Sequence, residues 1–505
     1  MDPVLIALDS GTTAVKAAAF DRDGRLVASA ERPNAALRRD GAHVEQDMAA
    51  TRDDAFAAVA DCAAAVPGRA AALIVTGQGD GLWPIGADFQ PVGRAMTWLD
   101  GRARPLVAEL RAAGRLDAIE RTTYAQPTAA AQSLQLLWLQ RHDPERLTRI
   151  AHALRLKEWL FLSLTGRLAA EPSALLPTWG DWRTGQPSPI VEDTLGLDRG
   201  IALLPPLEPV GTCRAGLGAE AASRIGLPSG LPVLIGPGDV QSTLIGLGLG
   251  VRPGVARASI FGTSAIHGSL RLDPAGMAAK PPGAMVQPYV LGPGYVCTHP
   301  SFNGATALGH AATLFAGLPQ GPVAPVYSGV VLHPFFEPGG ERAPVTSPFA
   351  SAAAFGLSGA TDPAAIAWAA REALAFVTRH AYAMMGGDGE DLVVGGGLAG
   401  DAAFMQFLAT ALQAPVRPVA GGQAGLRGLA TIAAGTLGWA AGADLAERFA
   451  CAAEARIEPE QGPVATYAAG KYEVFASTLG AISDAWPAIA RLNDLASATG
   501  KGHRT

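Results

Sequence analysis

The sequence predicts an α/β protein whose two domains repeat one plan and face each other across a cleft. Residues 5–21 and 256–270 each read as an apolar strand, a Gly-Thr-Thr or Gly-Thr-Ser turn, and a second alternating strand. Such hairpins offer backbone N–H groups and hydroxyls to a phosphate chain. Strands followed by helices in the rest of each half are typical of α/β folds. Two copies of the hairpin therefore favour duplicated domains with a nucleotide between them.

The first half is predicted to alternate between strands and helices. Apolar residues at helical spacing indicate helices, and short apolar runs between turn residues indicate strands. These patterns give strands over 5–30, 71–76, 82–85, 95–98 and 233–236, and helices over 48–65, 133–141 and 154–165. Gly166 is expected to end the last of these helices, because glycine adopts the left-handed conformation that follows many helices.

The second half repeats this alternation of strands and helices after a joint rich in glycine. We expect the joint near residues 240–255, which divides the chain into domains 1–245 and 246–505. Asp362 and Pro363 are typical start signals for a helix, which is predicted to run to about residue 380. The other predicted elements are the hairpin 256–270, a strand at 391–394, a glycine turn at 395–397, and helices over 402–412 and 466–491.

The composition is that of a folded globular protein. Of the 505 residues, 49% are hydrophobic and 17% are charged, and the net charge is -6. No basic run with interleaved aromatics is present, which argues against nucleic acid as a partner. The apolar stretches are interrupted before about 18 residues, so no membrane partner is expected. Four cysteines without CxxC spacing, and no basic region before an apolar one at the start, fit a cytoplasmic location.

Two carboxylates stand where strands give way to glycine-rich turns. Asp9 lies between the first strand and its hairpin, so it is either a plain turn residue or a functional group. Asp239 ends the turn Gly236-Pro-Gly-Asp239 at the expected domain joint. A carboxylate in that place can accept the proton of a hydroxyl, which is general-base chemistry. The alternative for Asp239 is a cap on the segment that follows.

Motifs in a fixed order give the chain a wider resemblance. They are Asp9-Ser-Gly-Thr-Thr13 with Lys16, Gln78-Gly-Asp80-Gly, Trp98-Leu-Asp100-Gly-Arg102, Gly236-Pro-Gly-Asp239, Gly262-Thr-Ser264, Glu341-Arg-Ala-Pro344 and Gly395-Gly-Gly-Leu398. Over residues 4–485 the sequence resembles the FGGY family of carbohydrate kinases. The resemblance implies two ribonuclease H-like domains of the actin, hexokinase and Hsp70 superfamily, with an interdomain cleft.

The resemblance also implies that the protein uses ATP and Mg²⁺ and that Asp239 is the catalytic base. Mg²⁺ is implied at Asp9 and Asp239, with water between it and Asp9, because Mg²⁺ dehydrates reluctantly. The residues implied to contact the ATP phosphates are Gly11, Thr12, Thr13 and Lys16 in the first domain and Gly262, Thr263 and Ser264 in the second. Adenine is implied to lie against Gly395, Gly396 and Gly397, although a strand-to-helix turn often needs glycine anyway.

The acceptor is implied to bind a largely acidic set of residues. That set is Gln78, Gly79, Asp80, Trp98, Asp100 and Asp239. Carboxylates that accept hydroxyl hydrogen bonds discriminate well, because an unmet buried carboxylate is costly.

The pair Gly79-Asp80 carries the information on acceptor identity. D-xylulose kinases usually have Met-His at this place and glycerol kinases have Arg-Glu, so this chain differs from both. The run from Thr76 to Gly81 looks closest to erythritol kinases, and next to kinases of L-xylulose or 3-keto-L-gulonate.

The predicted function is transfer of the γ-phosphate of ATP to a hydroxyl of a small polyol or ketose. A D-xylulose kinase of the same family is one alternative. A second is a non-catalytic, sugar-responsive regulatory protein on the same scaffold, and a third is a chaperone-like or filament-forming ATPase. The resemblance further suggests a homodimer.

Overall fold

Two six-stranded sheets organise the protein, each contains one of the Gly-Thr hairpins, and five strands of each follow the same order. The computed structural model describes residues 2–211, 214–272, 283–315, 317–318, 321–337, 340–386, 391–419 and 421–499. The strands of the first half are β1 (Val4–Ser10), β2 (Ala14–Phe20), β3 (Leu26–Pro33), β4 (Leu37–Asp40), β5 (His43–Gln46), β6 (Ala70–Gly77), β7 (Gly81–Ile85), β8 (Ala95–Thr97), β9 (His152–Leu154), β10 (Gly180–Asp181), β11 (Gln186–Pro187), β12 (Arg214–Gly216) and β13 (Pro232–Ile235).

Helices cover the strands of this half. They are α1 (Met48–Ala64), α2 (Arg104–Ala112), α3 (Leu116–Thr123), α4 (Gln132–His142), α5 (Pro144–Arg149), α6 (Leu156–Thr165), α7 (Pro172–Trp179), α8 (Pro189–Leu195), α9 (Ala219–Ile225) and α10 (Asp239–Leu247), with a 3₁₀ turn at Ile201–Leu203. As expected, α6 ends at Gly166, whose φ of 72° is left-handed.

The second half contains a similar set of elements. Its strands are β14 (Arg257–Phe261), β15 (Ala265–Arg271), β16 (Met285–Pro288), β17 (Tyr295–Ser301), β18 (Val331–His333), β19 (Ala353–Phe355), β20 (Leu392–Gly396) and β21 (Val416–Pro418). Its helices are α11 (Thr306–Leu314), α12 (Pro363–Met385), α13 (Ala402–Leu412), α14 (Ala424–Thr436), α15 (Ala443–Arg448) and α16 (Pro463–Ala498), with a 3₁₀ turn at Gly397–Gly400.

The first sheet has the order β12-β13-β6-β1-β2-β3. Strands β1, β2 and β3 are antiparallel neighbours, whereas β6 runs parallel to β1, and β13 runs parallel to β6. The central strands β1 and β6 are almost continuously apolar, as strands buried on both faces must be. The register sets Asp9 at the carboxyl end of β1, opposite Lys16 of β2 and Thr76 of β6.

The second sheet has the order β16-β17-β15-β14-β20-β21, in which the five strands β17-β15-β14-β20-β21 repeat β3-β2-β1-β6-β13 and the sixth strand is added at the opposite edge. Strands β14, β15 and β17 are antiparallel neighbours, β20 runs parallel to β14, and β21 runs parallel to β20. The turn at residues 262–264 therefore occupies the place in this sheet that residues 11–13 occupy in the first. The predicted α/β class with two sheets on one plan is confirmed.

A smaller sheet is attached to the first half. It has the order β4-β5-β8-β7-β9, and all of its paired strands are antiparallel. Strand β7 begins directly after Asp80, and β9 ends directly before Arg155. This sheet therefore extends the first half beside the carboxyl ends of β1 and β6.

Element boundaries differ from the predictions where a short strand or an extra turn intervenes. Leu154, which was predicted to begin a helix, is the last residue of β9 instead, and α6 starts at Leu156. Helix α12 continues to Met385 and α16 spans Pro463–Ala498, so both are longer than predicted. Buried residues persist to the last turn of α12, which explains why packing extends it.

Helices α10 and α14 cross with their backbones in contact. A Cβ atom on Gly428 of α14 would lie 1.8 Å from the Ser242 carbonyl oxygen, and one on Gly246 of α10 would lie 1.8 Å from the Ala424 carbonyl oxygen. Both helices are therefore restricted to glycine at the crossing. Because the predicted boundary at residue 245 falls inside α10, this crossing lies at the proposed joint between the domains.

Two further features of the structure are its helices, considered as possible membrane spans, and its cysteines. No helix in the described ranges is long and apolar enough to cross a membrane. Cys62 and Cys451 are buried thiols, and Cys213 lies outside the described residues.

The crossing of α10 and α14 gives a stability prediction. Gly428→Ala should lower the free energy of unfolding by about 1–3 kcal/mol, because the new methyl group forces two backbones apart. Thermal or chemical denaturation measures this loss. The control is Gly480→Ala in α16, where a Cβ atom meets nothing within 4 Å and helix propensity alone should give a small gain. Equal stability of the two variants would contradict a tight crossing.

Candidate active site

Asp9 lies near the carboxyl end of β1, and its half-buried carboxylate has few interactions within the protein. Its Oδ1 is buried and has no hydrogen-bond partner among the described residues. Burial raises the pKa of Asp9 to about 6, against the opposing charge of Lys16. A Cβ atom on Gly425 would lie 2.9 Å from Asp9 Oδ2, so the first turn of α14 approaches this carboxylate closely. The group has the unmet acceptor capacity that a cation or a donor would fill.

Asp239 is the first residue of α10 and lies beside residues from three other segments. Its Oδ1 accepts a hydrogen bond from the Val240 N–H at 2.9 Å, and a Cβ atom on Gly79 would lie 3.8 Å from the same oxygen. Burial first, and then the charges of Asp9 and Asp80, raise the pKa of Asp239 to about 7. Residues remote in the sequence, Asp9, Asp80 and Asp239, therefore share one electrostatic environment.

A buried ion pair supports the turn that carries Asp239. Lys157 and Glu171 are both fully buried and form a salt bridge, and Lys157 Nζ donates to the Gly236 carbonyl at 3.1 Å. Ser173 Oγ donates to Glu171 at 2.9 Å and accepts from the Gly238 N–H at 3.1 Å. Sequence reasoning missed this support. Its signal was a lysine inside the largely apolar helix α6, where a buried charge must be paired.

The first hairpin places its hydroxyls beside the predicted acceptor residues. The Gly11 N–H donates to the Ala14 carbonyl at 3.0 Å and closes the turn, so it is already used. Trp98 Nε1 donates to Thr12 Oγ1 at 2.8 Å, which joins the smaller sheet to the hairpin. Lys16 pairs with Glu31, which lies opposite it on β3, with 3.6 Å between Nζ and Oε1.

The second hairpin is fixed to the start of α11. The Gly262 N–H donates to the Ser264 carbonyl at 3.0 Å, one residue earlier in the turn than the corresponding acceptor, Ala14, of the first hairpin. Thr306 Oγ1 donates to the Thr263 carbonyl at 2.8 Å, and the side chains of Thr263 and Ser264 remain exposed. The hairpin therefore presents its hydroxyls outward while α11 holds its backbone.

Helix α11 also forms one wall of a cavity of about 400 Å³ in the second half. The cavity is lined mainly by small and apolar residues: Leu308, Gly309, Ala311, Ala312, Leu318, Gly321, Pro322, Ala367, Ala370, Arg371, Gly397, Leu398, Gly400 and Asp401. An apolar, open slot of this size suits a flat ring system.

The three predicted adenine-binding glycines have different surroundings. Gly397 lines the cavity, and a Cβ atom there would meet nothing within 4 Å. A Cβ atom on Gly395 would lie 2.6 Å from Leu247, and one on Gly396, at a φ of 93°, would lie 2.3 Å from the Phe261 carbonyl oxygen. Gly395 and Gly396 are therefore required by packing, as the alternative interpretation of this turn held.

A buried ion pair that sequence reasoning missed supports the cavity. Arg371 Nε donates to Asp401 Oδ2 at 2.9 Å, and a terminal nitrogen donates to the Gly321 carbonyl at 2.6 Å. Asp401 also caps α13 by accepting from the Phe404 N–H at 3.1 Å. One guanidinium thus links α12, α13 and the loop at Gly321.

Two of the predicted acceptor residues have free hydrogen-bonding capacity, and a third does not. Gln78 Nε2 donates to Gln46 Oε1 at 2.9 Å, while Gln78 Oε1 and Gln46 Nε2 are buried without a partner in the described structure. Asp80 is half-buried, and burial raises its pKa. Asp100, in contrast, is bound within the protein by Arg102, at 2.7 and 2.8 Å, and by the Val44 N–H at 2.7 Å.

Gln46 was not anticipated from the sequence, because its proximity to Gln78 depends on pairing between distant strands. Arg102 is buried between Asp100 and Glu45. Asp100 and Arg102 thus form a structural unit beside the site.

Comparison with known proteins adds independent evidence. A model of the N-terminal domain of the FGGY family of carbohydrate kinases matches residues 4–246, and a model of its C-terminal domain matches residues 300–437. The chain is 33% identical over 465 residues to the erythritol kinase of Brucella abortus (strain 2308), which covers 86% of this chain and 88% of the relative. It is 31% identical over 510 residues to the xylulose kinase of Streptomyces rubiginosus, covering 97% and 98% of the two chains.

Solved structures share the fold along almost the whole chain. The gluconate kinase from Lactobacillus acidophilus superimposes with a TM-score of 0.85 at 20% identity and covers 97% of this chain and 100% of its own. The xylulose kinase from Rhodospirillum rubrum gives a TM-score of 0.84 at 24% identity and covers 96% and 99%. The family models and the two relatives carry the assignment beyond the fold: the chain belongs to the FGGY family of carbohydrate kinases.

Proposed function

We propose that this carbohydrate kinase transfers the γ-phosphate of ATP to a hydroxyl of a small polyol or ketose, with Asp239 as the base. The observation that carries the proposal is the meeting of Asp9, Asp80 and Asp239 at one place, flanked by the first Gly-Thr hairpin. The similarity to an erythritol kinase favours a polyol, and the similarity to a xylulose kinase favours a ketose as the second candidate.

Asp239 suits the role of general base for three reasons. It is half-buried, so one side of the carboxylate faces the site. Its Oδ1 accepts a single backbone hydrogen bond, from Val240, which leaves acceptor capacity for a substrate hydroxyl. Its pKa of about 7 is well matched to removing a proton near neutral pH. As the hydroxyl oxygen attacks phosphorus, its proton passes to the Asp239 carboxylate.

Asp9 and Asp239 have the donor chemistry that suits Mg²⁺. The unpartnered Asp9 Oδ1 and the mutual repulsion of the two carboxylates both favour a bound cation. Among the described residues, no group of three or more metal-ligating side chains is present. This agrees with the way Mg²⁺ binds, through one or two carboxylates, water and substrate phosphates. When bound, the ion would neutralise charge on the transferred phosphoryl group.

The two hairpins and the cavity supply a nucleotide site. Thr12 and Thr13 on one side, and Thr263 and Ser264 on the other, offer hydroxyls to the phosphates, since both glycine N–H groups close their own turns. The cavity beside Gly397 is proposed to take adenine. The hydrogen bond from Thr306 to Thr263 connects the second hairpin to the cavity wall, so both parts of ATP would contact one continuous structure.

The acceptor is proposed to lie between Asp80, Gln78 and Asp239. The free amide oxygen of Gln78 and free amide nitrogen of Gln46 can accept from and donate to hydroxyls. Trp98 contributes ring surface while its N–H is held by Thr12. Asp100 is proposed to hold the neighbouring loop through Arg102 and not to contact the acceptor, because its hydrogen bonds are made within the protein.

An ADP-release assay with and without acceptors tests this function. The panel is erythritol, glycerol, D- and L-xylulose, ribulose, L-ribulose and 3-keto-L-gulonate. Acceptor-dependent ADP release, with a phosphorylated product, is the expected result. Release that is independent of every acceptor would instead support an ATPase, and acceptor binding without release would support a regulatory protein.

Asp239→Asn should abolish phosphorylation of the acceptor and leave ATP binding intact. Loss of the base and its charge should reduce kcat by about 10²–10⁴-fold or more. Acceptor-dependent turnover and equilibrium ATP binding are the two measurements. Turnover close to that of the wild type would remove Asp239 from the mechanism.

The same variant should be more stable than the wild type at alkaline pH when a chelator is present. The pKa of Asp239 is raised from 3.8 to about 7 in the folded protein, so its ionised carboxylate lowers the free energy of unfolding above about pH 7. Below about pH 3.8 the carboxyl group is protonated in both the folded and the unfolded protein, and this cost disappears. The melting temperature of Asp239→Asn should therefore exceed that of the wild type at about pH 8 and approach it as the pH falls. A difference in melting temperature between the two proteins that does not change with pH would contradict this prediction.

Gly309→Leu should obstruct the cavity and raise the KM for ATP without a comparable change in the KM for the acceptor. Gly309 lines the cavity on α11, and a Cβ atom there meets nothing within 4 Å. Gly309→Ala is the matched control, since one methyl group fits and favours the helix. An unchanged KM for ATP in the leucine variant would place adenine elsewhere.

A further inference from the structure

Arg155 is a buried guanidinium with none of its hydrogen bonds made. The side chain is fully buried, and Nε and both terminal nitrogens have no hydrogen-bond partner in the described structure. Its ion-pair partner is Glu158, at 3.6 Å, whose Oε1 also accepts no hydrogen bond. Buried guanidinium groups are normally surrounded by acceptors, because leaving their donors unmet is costly. The position therefore calls for an explanation beyond packing.

The smaller sheet brings Arg155 close to Asp80. Strand β9 pairs with β7 so that Leu154 lies opposite Trp83. Continuing this antiparallel register sets Arg155 opposite Leu82, two positions from Asp80. The positive charge of Arg155 accordingly lowers the pKa of Asp80, against the larger effect of burial. The two side chains are neighbours that make no direct salt bridge within the described structure.

A second guanidinium lies near Asp80 from the other half of the protein. Arg342 also lowers the pKa of Asp80, and Arg342 has its own carboxylate neighbour in Glu341. Glu341 accepts hydrogen bonds from the Phe302 N–H, from Asn303 and from Ser301, so it is held in place by neutral donors. Asp80 thus has positive charge near it from both halves and keeps its oxygens free for a ligand.

We propose that Arg155 is a specificity-determining residue, which acts as the buried counter-charge of Asp80 and so fits the pocket to an uncharged polyol or ketose. This inference rests on the proposed function and names the acceptor class of the same site. Because every nitrogen of Arg155 is covered by protein, the guanidinium acts through Asp80 and does not touch the acceptor. It is a positioning residue for the hydroxyl-accepting carboxylate.

The surrounding charges favour a neutral acceptor over an acidic one. Arg155 and Lys157 each have a carboxylate partner, in Glu158 and Glu171. Asp80 and Asp239 provide negative charge in the pocket that no ion pair in the described structure cancels. A carboxylate on the acceptor would meet this negative charge, and the nearby cation from the second half, Arg342, already lies near the negative charges of Asp80 and Glu341. An aldonate should therefore bind much more weakly than the polyol of the same carbon skeleton.

The test compares the KM for the acceptor in a double, a single and a triple variant, with erythritol and erythronate as acceptors. Arg155→Met with Glu158→Gln removes both partners of the ion pair, so that no lone buried charge remains. This double variant should raise the KM for erythritol by about tenfold, because Asp80 then binds the acceptor hydroxyl without its counter-charge, and kcat should change little. Asp80→Asn should raise it by a similar factor and narrow the preference for erythritol over erythronate.

The triple variant, with all three substitutions, is the decisive measurement. If Arg155 acts through Asp80, the triple variant should have the KM of Asp80→Asn alone. Losses that multiply, or an unchanged KM in the double variant, would overturn the inference. Arg155→Lys should recover most of the affinity, because it restores the charge.

Two controls separate this inference from loss of folding and from failure of the proposed function. Arg146→Met removes another buried arginine of the first half, one bound to the Val92 carbonyl at 3.0 Å, and should lower stability without changing the KM for erythritol. Calorimetric binding of erythritol without ATP reports on the pocket independently of catalysis. A wild type that binds and phosphorylates no acceptor would overturn the proposed function, whereas normal wild-type activity with equal preference for erythronate would overturn this inference alone.

Discussion

The close approach of Asp9 and Asp239 is the constraint on which the rest of the site depends. Burial is the main reason that the pKa values of both carboxylates are raised, and the charge of Asp9 adds to the effect at Asp239. The fold maintains this unfavourable pair by ending β1 and beginning α10 at one place. Buried support from Lys157 and Glu171 behind the Asp239 turn offsets part of the cost. Such stored repulsion is useful where a cation and a proton must both bind.

Much of the fold and part of the site could be predicted from the sequence. The two Gly-Thr hairpins and the two carboxylates near strand ends are local patterns, which can be recognised from neighbouring residues alone. The glycine turn at residues 395–397 was harder, because packing against Leu247 and Phe261 requires glycine there irrespective of any ligand. Composition cannot separate a glycine kept for a ligand from one kept for packing.

Contacts between distant segments could not be predicted. The pairing of Gln46 with Gln78 depends on strand register between two sheets, and that of Arg371 with Asp401 depends on how α12 and α13 cross. Asp100 was expected at the acceptor because of its motif, yet the structure directs its carboxylate to Arg102. In each case the identity of the side chain was informative, but its partner was set by tertiary packing.

The glycine crossing of α10 and α14 has a mechanical consequence. The two backbones touch at Gly246 and Gly428, while apolar side chains of both helices, among them Leu244 and Leu429, belong to one buried cluster. Asp239 begins α10, and Asp9 lies against Gly425 in the first turn of α14. Both carboxylates are therefore attached to the pair of helices that joins the two halves. Because closely packed helices move against each other only by small sliding shifts, a movement of one half should change the distance between these carboxylates less than the width of the cleft at its rim.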